Sequence, residues 1–249
     1  MSSTNKRTIL LVLWLVILGG LYALITHVNL PGAPAQPPAP IKLPKLTAAN
    51  LQAHWTEIVA HAPAPPRGAP NAPYTMVEFG DFQCPQCGKM RPVIEKMLAQ
   101  SGGKANLMFL HRPFANLHKW AMDSGEASLA AAAQGKFWPM YDALYSHQDN
   151  LEPGYYNGYA QAIGLDVSKF SAALASHQYL PALNQDVQFA NSIQVEVTPT
   201  LLVRDNKTGK ITIYIGADST MPGAIPGFQG IEQLDAAPPW QASAAPAKP

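Results

Sequence analysis

What most constrains the fold of this chain is the position of its only two cysteines. Cys84 and Cys87 stand three apart, where two runs of different periodicity meet. Tyr74-Thr75-Met76-Val77-Glu78-Phe79 is a short apolar run of the kind that forms a buried strand. After the cysteines, Met90, Val93, Ile94, Met97 and Leu98 recur at the three- and four-residue spacing of a helix face, up to Gly102-Gly103. Pro92 lies inside that helix and is expected to kink it. Leu107 to Leu110 reads as a second strand, which completes a strand–helix–strand unit with a right-handed parallel crossover. The chain is therefore expected to be an α/β protein with the cysteine pair at the first turn of its first crossover helix.

The following stretch reads as helical. Leu117, Trp120, Ala121, Ser124 and Ser128 mark one face of a helix that Gly135 ends, and Phe137, Met140, Tyr141, Leu144 and Tyr145 mark the next. Tyr155 to Ile163 is a third, Asp166 is a candidate N-cap for a fourth, and Pro181 opens a fifth carrying Leu183, Val187 and Ala190. Their expected role is packing. Thr200 to Arg204 and Ile211 to Ile215 then form a hairpin, and Gly230 to Leu234 starts a last helix. The order is β-α-β, a helical insertion over about 116–194, then β-β-α.

Proline and alanine punctuate the rest. There are 24 prolines, concentrated outside the candidate core. Residues 30–68 are expected to be a Pro/Ala-rich linker holding one short helix, Leu46 to Ala60, with Leu51, Trp55 and Ile58 on one face. The compact domain is expected over 69–235 and a disordered tail over 236–249. At the other end, Thr8 to Ile25 is an almost unbroken apolar run, close to the ~20 residues that span a bilayer. Lys6 and Arg7 before it would keep that end in the cytoplasm. Residues 1–29 are thus expected to be a cytoplasmic tip and a single transmembrane signal-anchor in the inner membrane, with the domain in the periplasm. A cleaved signal peptide is the alternative, but its apolar core is usually only roughly 7–15 residues. The formal net charge is +1, and Lys6 and Arg7 precede the apolar run, which leaves −1 for the remainder. A near-neutral body with no basic stripe argues against a nucleic-acid-binding role.

Two cysteines three apart at a helix start lie on one face, with α-carbons roughly 5–6 Å apart, a spacing that a disulfide accepts. Cys84, at the very N-terminus, faces unpaired N–H groups and the positive end of the helix dipole, which favour its thiolate. Cys87 lies one turn further in, so Cys84 is the attacking or attacked sulfur and Cys87 the resolving one. Pro85 suits the first helical position. A zinc site lacks a second cysteine pair, and covalent haem attachment lacks a histidine after Cys87, where Gly88 stands. A structural disulfide would close too small a loop to restrict the unfolded chain much. Copper held by Cys84, Cys87 and Met90 remains an alternative, as in a copper-binding chaperone. The leading reading is a redox-active dithiol whose cofactor is its own Cys84–Cys87 disulfide, with no metal.

Five stretches then bear comparison with a known family. They are Ala69-Pro70-Asn71-Ala72-Pro73; Val77-Glu78-Phe79 with Asp81-Phe82-Gln83-Cys84-Pro85-Gln86-Cys87; Gly135-Lys136-Phe137-Trp138; Ile163-Gly164-Leu165-Asp166; and Val197-Thr198-Pro199-Thr200. In these residues and their order the chain resembles the DsbA-like branch of the thioredoxin superfamily. The resemblance implies a thioredoxin-like fold with an all-helical insertion. It implies a cis-proline at Pro199 facing the dithiol, with the backbone at Thr198 pairing to an extended substrate peptide. It also implies an acidic residue beneath the site at Glu78, expected to exchange protons with Cys87. The active-site pair Pro85-Gln86 departs from the Pro-His of strongly oxidising members, so a less acidic Cys84 and a less oxidising disulfide are expected. His111 and His118 read as helix-capping or surface residues, with a place near the active site as the alternative for either.

The function implied is a membrane-anchored, extracytoplasmic thiol–disulfide oxidoreductase acting on cysteine-containing exported proteins. It would be reoxidised by a membrane redox partner, quinone-linked by family analogy. A reductase or isomerase using the same dithiol is the alternative within the class. The isomerases dimerise through a sizeable N-terminal domain, which residues 30–72 do not offer, so a monomer is expected.

Overall fold

The strand Tyr74–Gly80 lies at the middle of a five-stranded sheet, and its alternating side chains set what each face of the molecule does. The computed structural model describes residues 46–216 and 238–242. Within them the strands are β1 (Arg67–Gly68), β2 (Tyr74–Gly80), β3 (Ala105–His111), β4 (Thr200–Asp205) and β5 (Ile211–Ile215). Their spatial order is β1-β3-β2-β4-β5. β2 and β3 are parallel, as the crossover requires, and the other three pairings are antiparallel. The helices are α1 (Ala48–Ala53), α2 (Trp55–Ala60), α3 (Pro85–Gln100), α4 (Ala121–Ala132), α5 (Phe137–Ser146), α6 (Pro153–Ala162), α7 (Val167–Ala175), α8 (Leu180–Ser192) and the single turn α9 (Pro239–Ala242).

The period of two in a strand divides the apolar residues between two cores. Val77 and Phe79 of β2, Met108 and Leu110 of β3 and Leu202 of β4 pack with α1, α2 and α8 through Leu51, Ile58, Phe189 and Ile193. Met76, Leu107, Leu201 and Val203 face the other way, onto Met90, Ile94 and Met97 of α3. Glu78 shares the parity of Met76, so the strand carries its carboxylate to the α3 side. Phe109 is its register partner on β3 and Leu201 on β4. Helices α4 to α7 of the insertion close over that side through a third cluster in which Phe82, Cys84 and Cys87 pack with Phe109, Phe137, Tyr141 and Tyr145, while α8 stays on the opposite face.

Local signals act where they were expected. Asp166 caps α7 by accepting from Lys169 N at 3.0 Å. Gly164 ends α6 at φ +74°, a region open to glycine without steric cost. α3 runs from Pro85 through Pro92 to Gln100 as one helix.

Four expectations are corrected. Residues 46–68 are not linker but part of the folded body: Leu51 and Ile58 are fully buried and β1 pairs with β3. Arg67 fastens this segment, donating to Asp142 Oδ2 at 2.7 Å, bonding Glu95, and lying 4.6 Å above the Trp138 ring. The expected single helix is split at His54, whose ring bonds Glu57 in the first turn of α2. Part of the expected tail is folded too, since Trp240 on α9 is buried beside Tyr74. Leu117 does not face a core: it precedes α4 and is 72% exposed, because the chain from Phe114 to Trp120 is a loop of turns. Among the described residues no helix is long and apolar enough to cross a membrane. The apolar run at 8–25, the expected helix at 230–234 and most of the tail lie outside them.

Candidate active site

β2 ends at Gly80, and four residues later the chain enters α3 with Cys84 as the N-cap and Pro85 in the first turn. The connecting turn is held from several sides. Asp81 is buried and accepts from Gln83 N at 2.8 Å, Phe114 N at 2.9 Å and His118 Nδ1 at 2.7 Å. Gln83 Oε1 accepts from Trp120 N at 2.5 Å. The Nε2 of Gln148 donates to the carbonyls of Phe82 at 2.8 Å and Cys84 at 3.0 Å. Two glycines make these approaches possible. A Cβ on Gly80 would come within 2.5 Å of Phe109 Cε2 and 2.8 Å of Glu78 Oε1, and one on Gly88 would overlap the Gln148 amide.

The two sulfurs have unlike surroundings. Cys84 and Cys87 are both free thiols, Cys84 5% exposed and Cys87 fully buried. The Cys84 thiol is lowered to about 6. The largest cause is the hydrogen bond from Cys87. Burial opposes it, and the backbone N–H groups of Cys87 and Gln86 and the Thr198 side chain add to it. Cys87 is pushed well above its usual value by burial first, then by its bond to Cys84 and by the charges of Cys84 and Glu78. Pro85 is exposed and Gln86 half-buried between them.

The opposite wall comes from the start of β4. Thr200 pairs with Phe79, so the residues just before it lie beside the turn that carries Cys84. The Thr198–Pro199 peptide is cis, and Cys84 Sγ lies 3.6 Å from the Thr198 carbonyl oxygen, to which it donates. Thr198 and Pro199 thus stand beside Cys84, with Cys87 and Glu78 buried behind it.

Glu78 is fully buried, and its two oxygens accept from Tyr141 (2.7 Å) and Tyr145 (3.0 Å). Burial raises its pKa to about 7, the two phenols working against that and Glu95 and Cys84 adding to it. At neutral pH such a carboxyl can both release and accept a proton.

Several site residues escaped the sequence reading. The spacing of Tyr141 and Tyr145 predicts a packing face and gives their phenol groups no partner. His111 is buried rather than at the surface, with Nδ1 2.9 Å from Asp186 and Nε2 2.7 Å from Ser128 Oγ. His118 is half-buried on Asp81. Their signal, a polar atom on an otherwise apolar helix or strand, was present but gives no partner. Met90, the third candidate copper ligand, is buried with Met76 and Ile94 in the α3 core. Among the described residues no group of three or more His, Cys, Asp or Glu side chains is arranged to hold a metal ion.

Comparison with known proteins adds a family. Residues 62–214 match a family model described as thioredoxin. Among curated proteins, the chain is 37% identical over 143 residues to the Na(+)/H(+) antiporter NhaA 1 of Mycolicibacterium gilvum, covering 57% of this chain and 23% of that protein. It is 37% identical over 141 residues to the Na(+)/H(+) antiporter NhaA 3 of Salinispora tropica, covering 57% and 22%. The chain spans less than a quarter of the length of these relatives. Among solved structures, the thiol-disulfide exchange protein alpha-DsbA2 of Wolbachia pipientis is similar at TM-score 0.57 and 18% identity, over 69% of this chain and 88% of that one. The catalytic domain of Proteus mirabilis ScsC gives 0.57 and 18%, over 76% and 94%. BdbD of Bacillus subtilis gives 0.52 and 22%, over 58% and 83%. At these identities the likeness is one of fold.

Proposed function

The chain belongs to the thioredoxin family, and on that premise we propose that it is a thiol–disulfide oxidoreductase working through Cys84 and Cys87. The observation that carries this reading is the asymmetry of the pair. One thiol, lowered to about 6, sits at a helix start beside the Thr198 carbonyl, and the other is buried and held protonated. The chain's similarity in fold to the thiol-disulfide exchange protein alpha-DsbA2 of Wolbachia pipientis supports it. The name of the curated relatives concerns much longer proteins, and ion transport is not carried over.

In the oxidising direction, a substrate thiolate attacks Cys84 Sγ of the Cys84–Cys87 disulfide. That sulfur–sulfur bond breaks, a mixed disulfide forms on Cys84, and Cys87 leaves as a thiolate that takes a proton. Glu78, with a pKa near 7 beneath it, is the proposed donor. A second substrate thiolate then attacks the substrate sulfur of the mixed disulfide, and Cys84 leaves as the stabilised thiolate. The substrate has lost two electrons and the dithiol has gained them, so an oxidant must return it to the disulfide. A membrane redox partner is proposed for that step. The substrate strand is proposed to lie along Thr198-Pro199, beside the Cys84 sulfur.

A stabilised thiolate stabilises the reduced form and so makes the disulfide more oxidising. A value of about 6 lies between the ~3.5 and ~7 of strongly oxidising and reducing dithiols, in keeping with a neutral glutamine at position 86. The proposed location is extracytoplasmic, with a single-pass anchor at 8–25 and exported cysteine-containing proteins as substrates. The reading is tested by trapping: Cys87→Ala should accumulate mixed disulfides on Cys84. Stoichiometric Cu(I) binding with no adducts would replace it with the copper-chaperone reading. A reduction potential near about −120 mV supports the oxidising direction, and one near about −270 mV overturns it in favour of a reductase.

A further inference from the structure

α5 and the turn after it place three polar groups on the redox site at the spacing of one helix face. Tyr141 and Tyr145 are four apart, and Gln148 follows three residues later, just beyond the helix end. Residues four apart share a side of a helix, so Tyr141 and Tyr145 reach the same neighbour, and Gln148 reaches it from the turn beyond. That neighbour is the segment from Glu78 to Cys84. Tyr141 and Tyr145 give one hydrogen bond to each oxygen of Glu78, and Gln148 gives two to the carbonyls of Phe82 and Cys84. Phe137 and Leu144 beside them are apolar and buried, while Trp138 and Asp142 turn their polar atoms to Pro65, Arg67 and Arg91 instead. The polar contacts that α5 and the following turn make to the Glu78–Cys84 segment are therefore few and directed.

We propose that this stripe of α5 is the positioning element of the dithiol: Tyr141 and Tyr145 hold the Glu78 carboxyl, and Gln148 holds the turn that presents Cys84. The phenols are neutral donors, and among the described residues no cation bonds Glu78. The titratable groups around it are Tyr141 and Tyr145 from α5 and Cys84, Cys87 and Glu95 at or on α3, with Arg67 of β1 reaching the outer side of the Tyr141 ring at 5.4 Å. Burial, Glu95 and Cys84 all disfavour the ionised carboxyl, so the two phenols are what hold its ionisation within the neutral range. A hydrogen bond to the charged form of a group lowers the pKa of an acid, and its loss raises it. At the other end, the Gln148 amide offsets the partial negative charge of the Cys84 carbonyl one residue-length from the sulfur, and it fixes the turn geometry. The helical insertion then tunes the site, in addition to packing over it.

The proposal rests on the oxidoreductase reading for its purpose, but its test does not need turnover. In the reduced full chain, the infrared carbonyl band of the protonated Glu78 carboxyl, identified by its loss in Glu78→Gln, is followed against pH. Tyr141→Phe and Tyr145→Phe keep the ring packing and remove one donor each. Each should move the midpoint upward from about 7 by about one pH unit, and the double variant further. Gln148→Ala should raise the midpoint of Cys84 thiolate absorbance from about 6 while leaving the Glu78 band in place. Phenylalanine variants that titrate within about 0.3 pH unit of the parent would overturn the role of the tyrosines. An unmoved Cys84 titration in Gln148→Ala would overturn that of Gln148. Failure to trap substrates with Cys87→Ala would sink the proposed function instead and leave these titrations standing.

Discussion

Two buried carboxylates, Glu78 and Asp186, are each held by two side-chain donors, and the donors differ in kind. Glu78 accepts from two phenols, Tyr141 and Tyr145. Asp186 is bound by two imidazoles, His61 Nδ1 and His111 Nδ1, each at 2.9 Å. An imidazole can carry the positive charge that a buried carboxylate needs, and a phenol cannot. Around Asp186 the chain continues from His111 Nε2 to Ser128 Oγ, which donates to the Gly125 carbonyl at 2.7 Å, while His61 stacks on Phe189 with ring centres 4.1 Å apart. That cluster ties the end of α2, strand β3, helix α4 and helix α8 together. Glu78 ties only β2 to α5, and its carboxyl is left near neutrality beside the dithiol. The same residue chemistry, a buried acid with two donors, becomes a clamp in one place and, in the proposed function, a proton store in the other. The charge its partners can offer makes the difference.

The clamp is the larger target. Asp186→Ala would strand two histidines, one of them fully buried, and should cost about 3–5 kcal/mol in urea unfolding, with the Cys84 titration unmoved. A loss below about 1 kcal/mol would mean that Asp186 is no clamp. Next is the pH dependence of Glu78. Its folded value of about 7 lies above the ordinary 4.5, so the folded state keeps a proton that the unfolded chain has released. Stability from this group is complete below about pH 4.5 and is lost as pH rises through about 7, a fall of about 3 kcal/mol. Cys84 acts in the opposite sense: its thiol is lowered from 9.0 to about 6, so its contribution is full above about pH 9 and is lost as pH falls through 6. The difference between parent and Glu78→Gln isolates the first effect: the variant should gain about 3 kcal/mol on the parent between pH 4 and pH 8. Parallel stability curves would erase the distinction between the two acids. The smallest effect belongs to His61→Ala, which removes one donor from Asp186 at a half-buried position and should cost about 1 kcal/mol by the same unfolding measurement. A cost as large as that of Asp186→Ala would place the whole clamp at His61.

What the sequence made legible follows the reach of its signals. β2, α3 and β3 could be read because each is a run with its own period, and the strand parity that carries Glu78 to the α3 side is a consequence of that period. The cysteine pair and Thr198-Pro199 could be paired only through family resemblance, since 114 residues separate Cys84 from Thr198. Tyr141 and Tyr145 lie 63 and 67 residues from Glu78, and among Phe137, Met140 and Leu144 their hydroxyls give no local hint of a partner. His111 was misread for the same reason, its partners standing on α4 and α8. The segment 46–68 was misread on composition: its prolines suggested a spacer, yet Leu51 and Ile58 were already on one face, and burial of that face decides the matter. Residues 8–25 and 230–234 lie outside what the structure describes.

One contact bears on how this chain can vary over time. Gly88 has room for no side chain because the Gln148 amide occupies the place of its Cβ, and Gln148 is there because two carbonyls hold it. A change of Gly88 to alanine is therefore a change at Gln148 as well, since the amide must leave its bonds to make room. The two positions should drift through descent as a pair, with alanine at 88 accompanied by a residue at 148 that no longer reaches the turn. Neither takes part in the exchange chemistry, so a record of how they have changed together would report on the support of the site independently of its sulfurs.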